Sequence, residues 1–246
     1  MLNKMYLSVI VPAYNEEKRL LKTLIEIDNY LKKQSYEYEI LVVNDGSKDK
    51  TAEVAKRATS GVARLRLIDN KENQGKGFVV RQGMLGAKGD YRIFTDADNS
   101  TSIDQIEKMW PEFEKGYDIV IGSRDVKGAI LDPPQPFLRK MILGKAFRLL
   151  TQIICGTWGI LDTQCGFKCF SKKAVEDIFP KCLINRFAFD PEVLVIGKKL
   201  GYKIKEIPVY WRNDPESKVK FKNMVKMLFE VFQIRLNLIK GVYEKT

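Results

Sequence analysis

Two aspartates, Asp96 and Asp98, stand one residue apart after the apolar run 91-YRIFT-95. Residues i and i+2 of an extended backbone face the same way, so both carboxylates can face one hard cation. Magnesium in proteins typically uses one or two carboxylates and takes its other ligands from water and substrate phosphates. A cation held in this way neutralises a diphosphate leaving group. The pair therefore indicates metal-assisted chemistry on a diphosphate.

The pair is a weak signal on its own. With 15 aspartates in 246 residues, chance gives roughly one Asp-x-Asp per chain. The structural alternative is a turn at the end of a strand in which each aspartate caps a backbone group. The chemical alternative is a phosphatase of the haloacid dehalogenase type, which carries Asp-x-Asp-x-Thr after an apolar strand. That chemistry is disfavoured because the motif here follows the fourth apolar run and the chain has no Asp-Asp pair.

Several other classes of site are excluded or disfavoured by composition. The chain has no histidine, which excludes Ser-His-Asp and Cys-His catalysis and any His-ligated zinc. The four cysteines lack a paired C-x-x-C spacing, so free thiols are expected rather than a four-cysteine zinc site. The turn around Lys76, between Gly75 and Gly77, is neither a dinucleotide fingerprint nor a P-loop, which disfavours a dinucleotide oxidoreductase. Lys76 can still meet an anion at a helix start.

The elements that must position these residues are predicted by apolar runs in the first half of the chain. The runs cover residues 7–12, 39–45, 64–69, 91–96 and 118–124, with amphipathic segments near 16–34, 50–60, 75–88 and 103–115 between them. Continuous apolar strands separated by helices predict a parallel sheet covered on both faces. Each run ends in polar residues, and ligands bind beyond the carboxyl ends of such strands. We therefore expect the polar segments, with Asp96 and Asp98, to meet at one edge of the sheet.

The second half has a different pattern. The segment 132-DPPQP-136 marks a break. The pattern beyond it predicts helices over 137–155, 190–200 and 218–241, a turn or short strand at 162–171 and a strand at 203–211. Pro208 places that strand at a sheet edge or a bulge, because proline cannot donate to the ladder.

Charge is concentrated in the second half. The net charge is +11; residues 1–126 are neutral, residues 127–148 carry +4 and residues 198–246 carry +7. Such segments favour phosphates, nucleic acid or an anionic membrane surface, although a solvated lysine-rich tail is the alternative. The last helix spreads its apolar residues more than half-way round, so it can serve as a core helix and as an interfacial helix. The longest uncharged stretch in the apolar middle, 149–161, is shorter than the roughly 20 residues that span a bilayer. With no signal pattern at the start, we expect a cytoplasmic protein.

Five segments together resemble the family 2 inverting glycosyltransferases. They are 8-SVIVPAYNEEKRL-20, 40-ILVVNDGSKDKT-51, 73-NQGKGFVVRQGM-84, 94-FTDADNS-100 and 120-VIGSRD-125. The second half, with 162-DTQCGFKCF-170, 186-RFAFDPEVL-194 and the strand around Pro208 and Trp211, is similar to the polyprenol-phosphate sugar synthases, above all the dolichyl-phosphate glucosyltransferases. The resemblance covers nearly the whole chain. It implies an α/β fold of the GT-A type, with a mostly parallel central sheet flanked by helices and amphipathic helices at the C-terminal end. It also implies a nucleotide-sugar and metal-binding half (1–126) and an acceptor-binding half (127–246) within one continuous domain.

The resemblance also implies functions for individual residues. Asp96 and Asp98 match the family's motif for Mg²⁺ or Mn²⁺, and Asp98, Arg124 and Asp190 are the expected catalytic residues. The expected donor-binding residues are Pro12, Ala13, Tyr14, Glu16, Asp45, Lys76 and Asp96, and the expected acceptor-binding residues are Arg124, Arg139 and Gln164. Mannose synthases place a glutamine two residues after the second aspartate as a further metal ligand. Ser100 occupies that position here, so a third protein ligand is not implied.

The reaction that we expect is transfer of a hexose from a nucleoside diphosphate sugar, a UDP-sugar by resemblance, to polyprenyl (dolichyl) phosphate. It would take place on the cytoplasmic face of a membrane, without nucleic acid, and would supply a lipid-linked sugar for glycan assembly. The missing histidine fits, because a phosphate acceptor is mostly dianionic at neutral pH and needs no general base. Alternatives are a GDP-mannose-dependent mannose synthase, a transferase acting on a sugar hydroxyl with Asp190 as base, the phosphatase, and a non-enzymatic basic surface binder.

Overall fold

The computed structural model describes residues 6–134, 145–213 and 221–244. Arg139, one of the expected acceptor-binding residues, lies outside these residues. The strands among them are β1 (Leu7–Ala13), β2 (Tyr38–Asp45), β3 (Leu65–Asn70), β4 (Tyr91–Thr95), β5 (Ile119–Ser123), β6 (Ile130–Asp132), β7 (Phe167–Ser171), β8 (Ile204–Pro208) and β9 (Tyr210–Arg212). The α-helices are α1 (Leu20–Leu31), α2 (Thr51–Ala58), α3 (Lys76–Gly86), α4 (Trp110–Glu114), α5 (Lys145–Cys155), α6 (Lys172–Ile178), α7 (Phe189–Lys199) and α8 (Phe221–Ile239).

Seven of these strands form one sheet in the order β3-β2-β1-β4-β7-β5-β8. β7 runs antiparallel to both of its neighbours, β4 and β5, and the other pairs are parallel. A strand from the second half of the sequence thus lies between two strands from the first half. The expected α/β fold with a mostly parallel sheet is confirmed.

Both faces of the sheet are covered, as continuous apolar strands require. Along β1, Val9 and Val11 point to one face and Ile10 to the other, each fully buried. The first face packs against α1, α2 and the segment 103–113, and the second against α3, α5, α6, α7 and α8. Because each face is closed by helices, the polar carboxyl ends of the strands are left as the open edge.

The elements differ from the sequence prediction where a proline interrupts an element or where the element is only a few residues long. The predicted helix over 103–115 is a 3₁₀ helix (Ile103–Lys108) followed by α4, because Pro111 in the first turn of α4 lacks the N–H that would continue one helix. The predicted strand over 203–211 is interrupted after Pro208. Its first part, β8, is the edge strand that Pro208 predicts, and its second part, β9, leaves the sheet to pair with β6. β6 and α6 were not predicted.

Two further expectations concern the membrane and the cysteines. Within the described residues, no helix is long and apolar enough to cross a membrane. All four cysteines are free and buried, as expected. Burial raises the pKa of the Cys165 thiol to about 12, which keeps it protonated at neutral pH.

Candidate active site

A cavity of about 560 Å³ opens at the carboxyl ends of the strands. Every expected site residue within the described part of the chain lines it: Pro12, Ala13, Tyr14, Glu16, Asp45, Lys76, Asp96, Asp98, Arg124, Gln164 and Asp190. Sequence positions 12 to 190 therefore converge on one space, because parallel strands deliver their polar ends to the same edge.

The two aspartates leave β4 in a tight turn. Asn99 has a φ of +53°, and its N–H donates to the Asp96 carbonyl over 3.2 Å. The Ser100 N–H donates to Asp98 Oδ1 over 2.9 Å. Gly166, between Gln164 and β7, makes room for the first carboxylate, since a Cβ there would overlap the Asp96 oxygens. Burial, and then the charge of Asp96, raise the pKa of Asp98, as expected for two acids held close together.

Lys76 supplies the nearest positive charge. It is the first residue of α3, and its Nζ lies 2.5 Å from Asp96 Oδ1, with both side chains about a quarter exposed. Burial lowers the pKa of Lys76, but the charges of Asp96 and Asp190 outweigh it and raise the pKa above its ordinary value. Lys76 is therefore a permanent cation at the start of a helix, where backbone N–H groups also attract anions.

Asp45 organises the loop that precedes Lys76. The carboxylate is 3% exposed at the end of β2. It accepts hydrogen bonds from the N–H groups of Gln74 (2.7 Å) and Gly75 (3.0 Å) and from the Asn73 amide (2.8 Å). Gly75 has a φ of +106°, which favours glycine. Asp45 thus lines the cavity and also fixes the turn that presents Lys76.

Arg124 is held by a carboxylate before any ligand arrives. Its Nε and Nη2 donate to the two oxygens of Asp162 over 2.7 and 2.9 Å, and its guanidinium lies 4.8 Å above the Trp211 ring. Burial alone would raise the pKa of Asp162, but Arg124 lowers it to about 2. This bidentate pair orients Arg124 toward the cavity between β5 and Trp211.

Asp190, in the first turn of α7, forms an ion pair with Lys168 of β7. Lys168 is completely buried, and its Nζ also donates to the Cys165 carbonyl over 2.6 Å. Burial raises the pKa of Asp190, and Lys168 and Lys76 oppose that rise. Cations and carboxylates therefore alternate from Lys168, buried beneath the cavity, to Asp190, Lys76 and Asp96, which line it.

Gln164 carries an unused donor. Its backbone N–H donates to Asp162 Oδ1 over 3.0 Å, which fixes the residue beside Arg124. Its side-chain Nε2 is buried and has no hydrogen-bond partner. A buried donor without a partner costs about 1–3 kcal/mol, so the arrangement suits a ligand that accepts this hydrogen bond.

Residues 8–179 match the model of a protein family described as Glycosyl transferase family 2. This range includes β1 to β7 and most of the cavity. The chain belongs to glycosyl transferase family 2. Membership makes the protein a glycosyltransferase and decides against the phosphatase and the non-enzymatic surface binder that the sequence left open.

Relatives of this glycosyltransferase match it over nearly its full length. A dolichyl-phosphate beta-glucosyltransferase of Trichomonas vaginalis is 40% identical over 94% of the chain and 73% of its own length. Those of Dictyostelium discoideum and Homo sapiens are 36% and 34% identical, over 99% and 96% of the chain and 78% and 77% of their own lengths.

Solved structures share the fold of this glycosyltransferase at low sequence identity. Mannosyl-3-phosphoglycerate synthase from Rubrobacter xylanophilus has a TM-score of 0.71 at 16% identity, over 96% of this chain and 75% of its own. Glucosyl-3-phosphoglycerate synthase from Mycobacterium tuberculosis, with Mn²⁺, UDP and glucosyl-3-phosphoglycerate, has a TM-score of 0.64 at 19% identity, over 95% and 79%. The GT-A type of fold is thereby confirmed.

The cavity of the glycosyltransferase fits a divalent cation. Among residues 6–134, 145–213 and 221–244, no group of three or more acidic or cysteine side chains is placed to hold a metal ion. Asp96 and Asp98 offer two carboxylates at the cavity surface, and Mg²⁺ or Mn²⁺ completes such a set with water and substrate phosphates.

Sequence reasoning missed several residues that the glycosyltransferase brings to the cavity, among them Arg19, Arg186 and Phe187. Arg19 could have been found from the sequence, because it stands three residues after Glu16, just before α1. In the structure the two side chains form a two-point ion pair (2.7 and 2.8 Å). Arg186 and Phe187 begin the segment 186-RFAFDPEVL-194 that carries part of the resemblance, but of this segment the sequence assigned only Asp190 to the site, and the folded chain shows that the first two residues also line the cavity.

Proposed function

We propose that the protein transfers glucose from UDP-glucose to a polyprenyl (dolichyl) phosphate at a membrane surface. The names of relatives at 34–40% identity over nearly the full chain support the glucosyl group and the dolichyl phosphate acceptor. The observation that carries the proposal is the cavity itself. The carboxylate pair Asp96 and Asp98 and the cations Lys76 and Arg124 face one space, as a reaction between two phosphate-bearing substrates requires.

The donor would occupy the side of the cavity formed by β1, β2 and α3. Tyr14, Glu16 and Asp45 would contact the nucleoside, beside Pro12 and Ala13. Asp96 and Asp98 would hold Mg²⁺ or Mn²⁺, which when bound supplies positive charge to the diphosphate. A crystal structure with the same fold contains Mn²⁺ and UDP, which supports this choice of group. Lys76 would donate to the diphosphate from the start of α3.

The transfer needs alignment and charge rather than a base. An oxygen of the acceptor phosphate attacks the anomeric carbon, the bond from that carbon to the diphosphate oxygen breaks, and UDP leaves with the electron pair. Attack opposite the leaving group inverts the configuration and gives a β-linked product from an α-linked donor. A phosphate monoester has a second pKa of about 6, so it already carries the attacking lone pair at neutral pH. Arg124 and Gln164 would orient this phosphate.

Asp190 would act through its charge. Its carboxylate is 3% exposed and paired with Lys168, which suits a group that fixes Lys76 beside the diphosphate. Arg139, which the resemblance implies for the acceptor phosphate, stays a prediction from the sequence.

The acceptor is a lipid, and α5 and α8 offer a surface for it. These helices pack together, and each exposes large apolar side chains, among them Leu149 (52% exposed), Ile153 (60%) and Phe229 (72%). Two exposed cations accompany these apolar residues: Arg235 within α8 and Lys240 just beyond its end. Apolar and cationic side chains on one helical face fit the interface of an anionic membrane.

The test uses purified protein with polyprenyl phosphate and a panel of UDP- and GDP-sugars, with and without a chelator. We expect a lipid-linked β-glucoside from UDP-glucose, formed only without chelator. Transfer from GDP-mannose instead would support the mannose synthase alternative, and transfer to a sugar alcohol would support Asp190 as a base. Lipid-linked sugar from no donor in the panel would refute the proposal.

A further inference from the structure

The segment 182–188 connects the cavity to α8. It lies between α6 and α7 and contributes Arg186 and Phe187 to the cavity wall. Our inference builds on the proposed function, because it concerns how the membrane and the donor reach the same site.

On one side the segment is fixed to α3. The Phe78 N–H donates to the Asn185 carbonyl over 3.1 Å, and Arg81 donates to the Cys182 carbonyl and the Asn185 side chain. Gly77 permits this approach, since a Cβ there would meet the Ile184 carbonyl oxygen at 2.5 Å. The segment therefore sits directly against the helix that begins with Lys76.

On the other side the segment is fixed to the C-terminal end of the chain. Its last N–H, that of Ala188, donates to Glu230 Oε2 of α8 over 3.0 Å. The N–H groups of Leu183 and Ile184 donate to Glu192, a fully buried carboxylate, over 2.9 Å each. Glu192 also accepts the Tyr243 hydroxyl over 2.9 Å, just beyond α8.

Arg186 lines the cavity and stands two residues before Ala188, whose N–H donates to Glu230 of α8. Burial raises the pKa of both Asp45 and Glu230, and in each case backbone N–H groups, and then the positive charge of Arg186, oppose the rise. The backbone of the segment and the charge of Arg186 therefore connect the cavity wall to α8.

Among the described residues, none packs over the opposite face of α8 in this way. Phe229, the neighbour of Glu230, is 72% exposed, and Phe232, Leu236 and Ile239 are 53%, 53% and 67% exposed. Positions 225, 229, 232, 236 and 239 recur at helical spacing, so they form one outward stripe. One helix thus holds the cavity wall on its inner side and offers an apolar stripe on its outer side.

We propose that Glu230 is a positioning residue that couples membrane contact by α8 to the donor site through the segment 182–188. Burial of the outward stripe in lipid restricts α8. Because Glu230 holds Ala188, the restriction extends to Arg186 and Phe187 at the cavity. A donor that binds to an already ordered wall has less ordering to complete, so it binds more tightly at a membrane. The enzyme thereby favours the donor where its lipid acceptor is.

The experiment measures UDP-glucose affinity by calorimetry, with Mn²⁺, in the presence and absence of vesicles. The vesicles contain phosphatidylcholine and roughly a quarter phosphatidylserine as anionic lipid, without polyprenyl phosphate, so no turnover occurs. We expect the wild type to bind about five-fold or more tightly with vesicles, the lower range of typical coupling energies. Glu230→Ala should lose this enhancement, and Glu230→Gln, which keeps an acceptor oxygen, should retain it. Vesicle flotation should show equal membrane binding by all three proteins.

Glu244→Ala is the matched control, because Glu244 belongs to the same C-terminal region but pairs with exposed Lys199 instead of the cavity wall. It should keep the enhancement. Equal affinity of the wild type with and without vesicles would overturn the coupling, as would full enhancement in Glu230→Ala or loss in both alanine variants. Absence of any UDP-glucose binding would instead count against the proposed function.

Hydrogen–deuterium exchange on the wild type gives a second measurement that needs no variant. The amides of Leu183, Ile184 and Ala188 should exchange more slowly with vesicles than without. Unchanged exchange at these amides, with the protein bound to vesicles, would also overturn the inference.

Discussion

At the scale of single residues, Asp98 is the group on which the proposed chemistry most depends. Asp98→Asn keeps an oxygen that can accept the Ser100 N–H, so the turn should persist. It removes a charge that the cation requires and that lies close to Asp96. We expect turnover to fall by about 10²-fold or more, with the melting temperature unchanged or slightly raised. Initial rates, Mn²⁺ titration calorimetry and thermal melting check this.

The control for Asp98→Asn is Asp104→Asn, an exposed acid outside the cavity, which should behave as wild type. Chelator-sensitive turnover at the wild-type rate in Asp98→Asn would show that the pair does not hold the metal.

Gly166 is the second residue at which a small change should have a large effect. A Cβ at this position would overlap the Asp96 carboxylate, so Gly166→Ala should displace that carboxylate by about an ångström and lower kcat by about 10²-fold. Gly61→Ala is the control, because a Cβ there has no atom within 4 Å. Rate assays and Mn²⁺ binding would measure both variants, and normal kinetics in Gly166→Ala would mean that Asp96 can move without consequence.

At the scale of elements, the ion pair between Arg124 and Asp162 joins the end of β5 to the segment before β7. This pair should make the free energy of unfolding depend on pH in the acid range. The pKa of Asp162 is lowered to about 2, against about 4 in an unfolded chain. A lowered pKa contributes stability above the unfolded value and loses it as pH falls through the folded value. We expect the wild type to lose about 2 kcal/mol between pH 5 and pH 2 from this group alone.

Urea unfolding of the wild type and of Asp162→Asn from pH 7 to pH 2 measures this contribution. The variant should be less stable at pH 7, and its curve should approach that of the wild type as pH falls. Parallel curves for the two proteins would contradict the assignment.

How far the elements follow from the sequence depends on what buries them. The ends of β1 to β5 were predicted to within about one residue. Strands that helices cover on both faces are continuous apolar runs, and such runs can be recognised from the local sequence alone. β7 lies within the turn or short strand predicted at 162–171, but its position between β4 and β5 was not predicted, because its sequence FKCFS contains Lys168, and a lysine is expected in solvent. Its charge is compensated by Asp190, 22 positions away, and only the folded chain brings the two together. The same holds for Arg186, whose segment gains its position from Gly77 and Glu230.

The helix α8 has two apolar stripes that should respond differently to substitution. Phe229 is 72% exposed, whereas Val231 is fully buried against the core. Phe229→Ser should change the free energy of unfolding by no more than about 0.5 kcal/mol and reduce binding to anionic vesicles. Val231→Ala should lower the free energy of unfolding by about 2 kcal/mol and leave vesicle binding of the folded protein intact. Denaturant unfolding and vesicle flotation separate the two effects, and the opposite pattern would mean that the outward stripe is not the membrane contact.

At the scale of the whole molecule, the sheet explains how the two sides of the cavity come together. The side of the cavity proposed for the donor is formed by β1, β2 and α3 of the neutral first half, and the side proposed for the acceptor is formed by Arg124, just after β5, and Gln164 of the second half. Strand β7 inserts the second half between β4 and β5, so both sides of the cavity are built on one sheet. The division into a donor-binding and an acceptor-binding half stays a prediction, but the insertion of β7 shows how such halves could act on one space.

The last prediction follows from the net charge of the molecule. The net charge is +11, and the excess lies in residues 127–148 and 198–246, the regions that contain or adjoin α5 and α8. Each Lys or Arg near an anionic surface contributes about 1 kcal/mol at low salt, and screening removes this attraction beyond about 10 Å at 0.1 M salt. We therefore expect binding to phosphatidylserine vesicles to weaken steeply as salt increases, whereas the weaker binding to phosphatidylcholine vesicles should hardly change. Cosedimentation across a salt series measures both. Binding that is equal on the two lipids and insensitive to salt would assign the contact to the apolar stripe of α8 alone and leave the basic segments free for another partner.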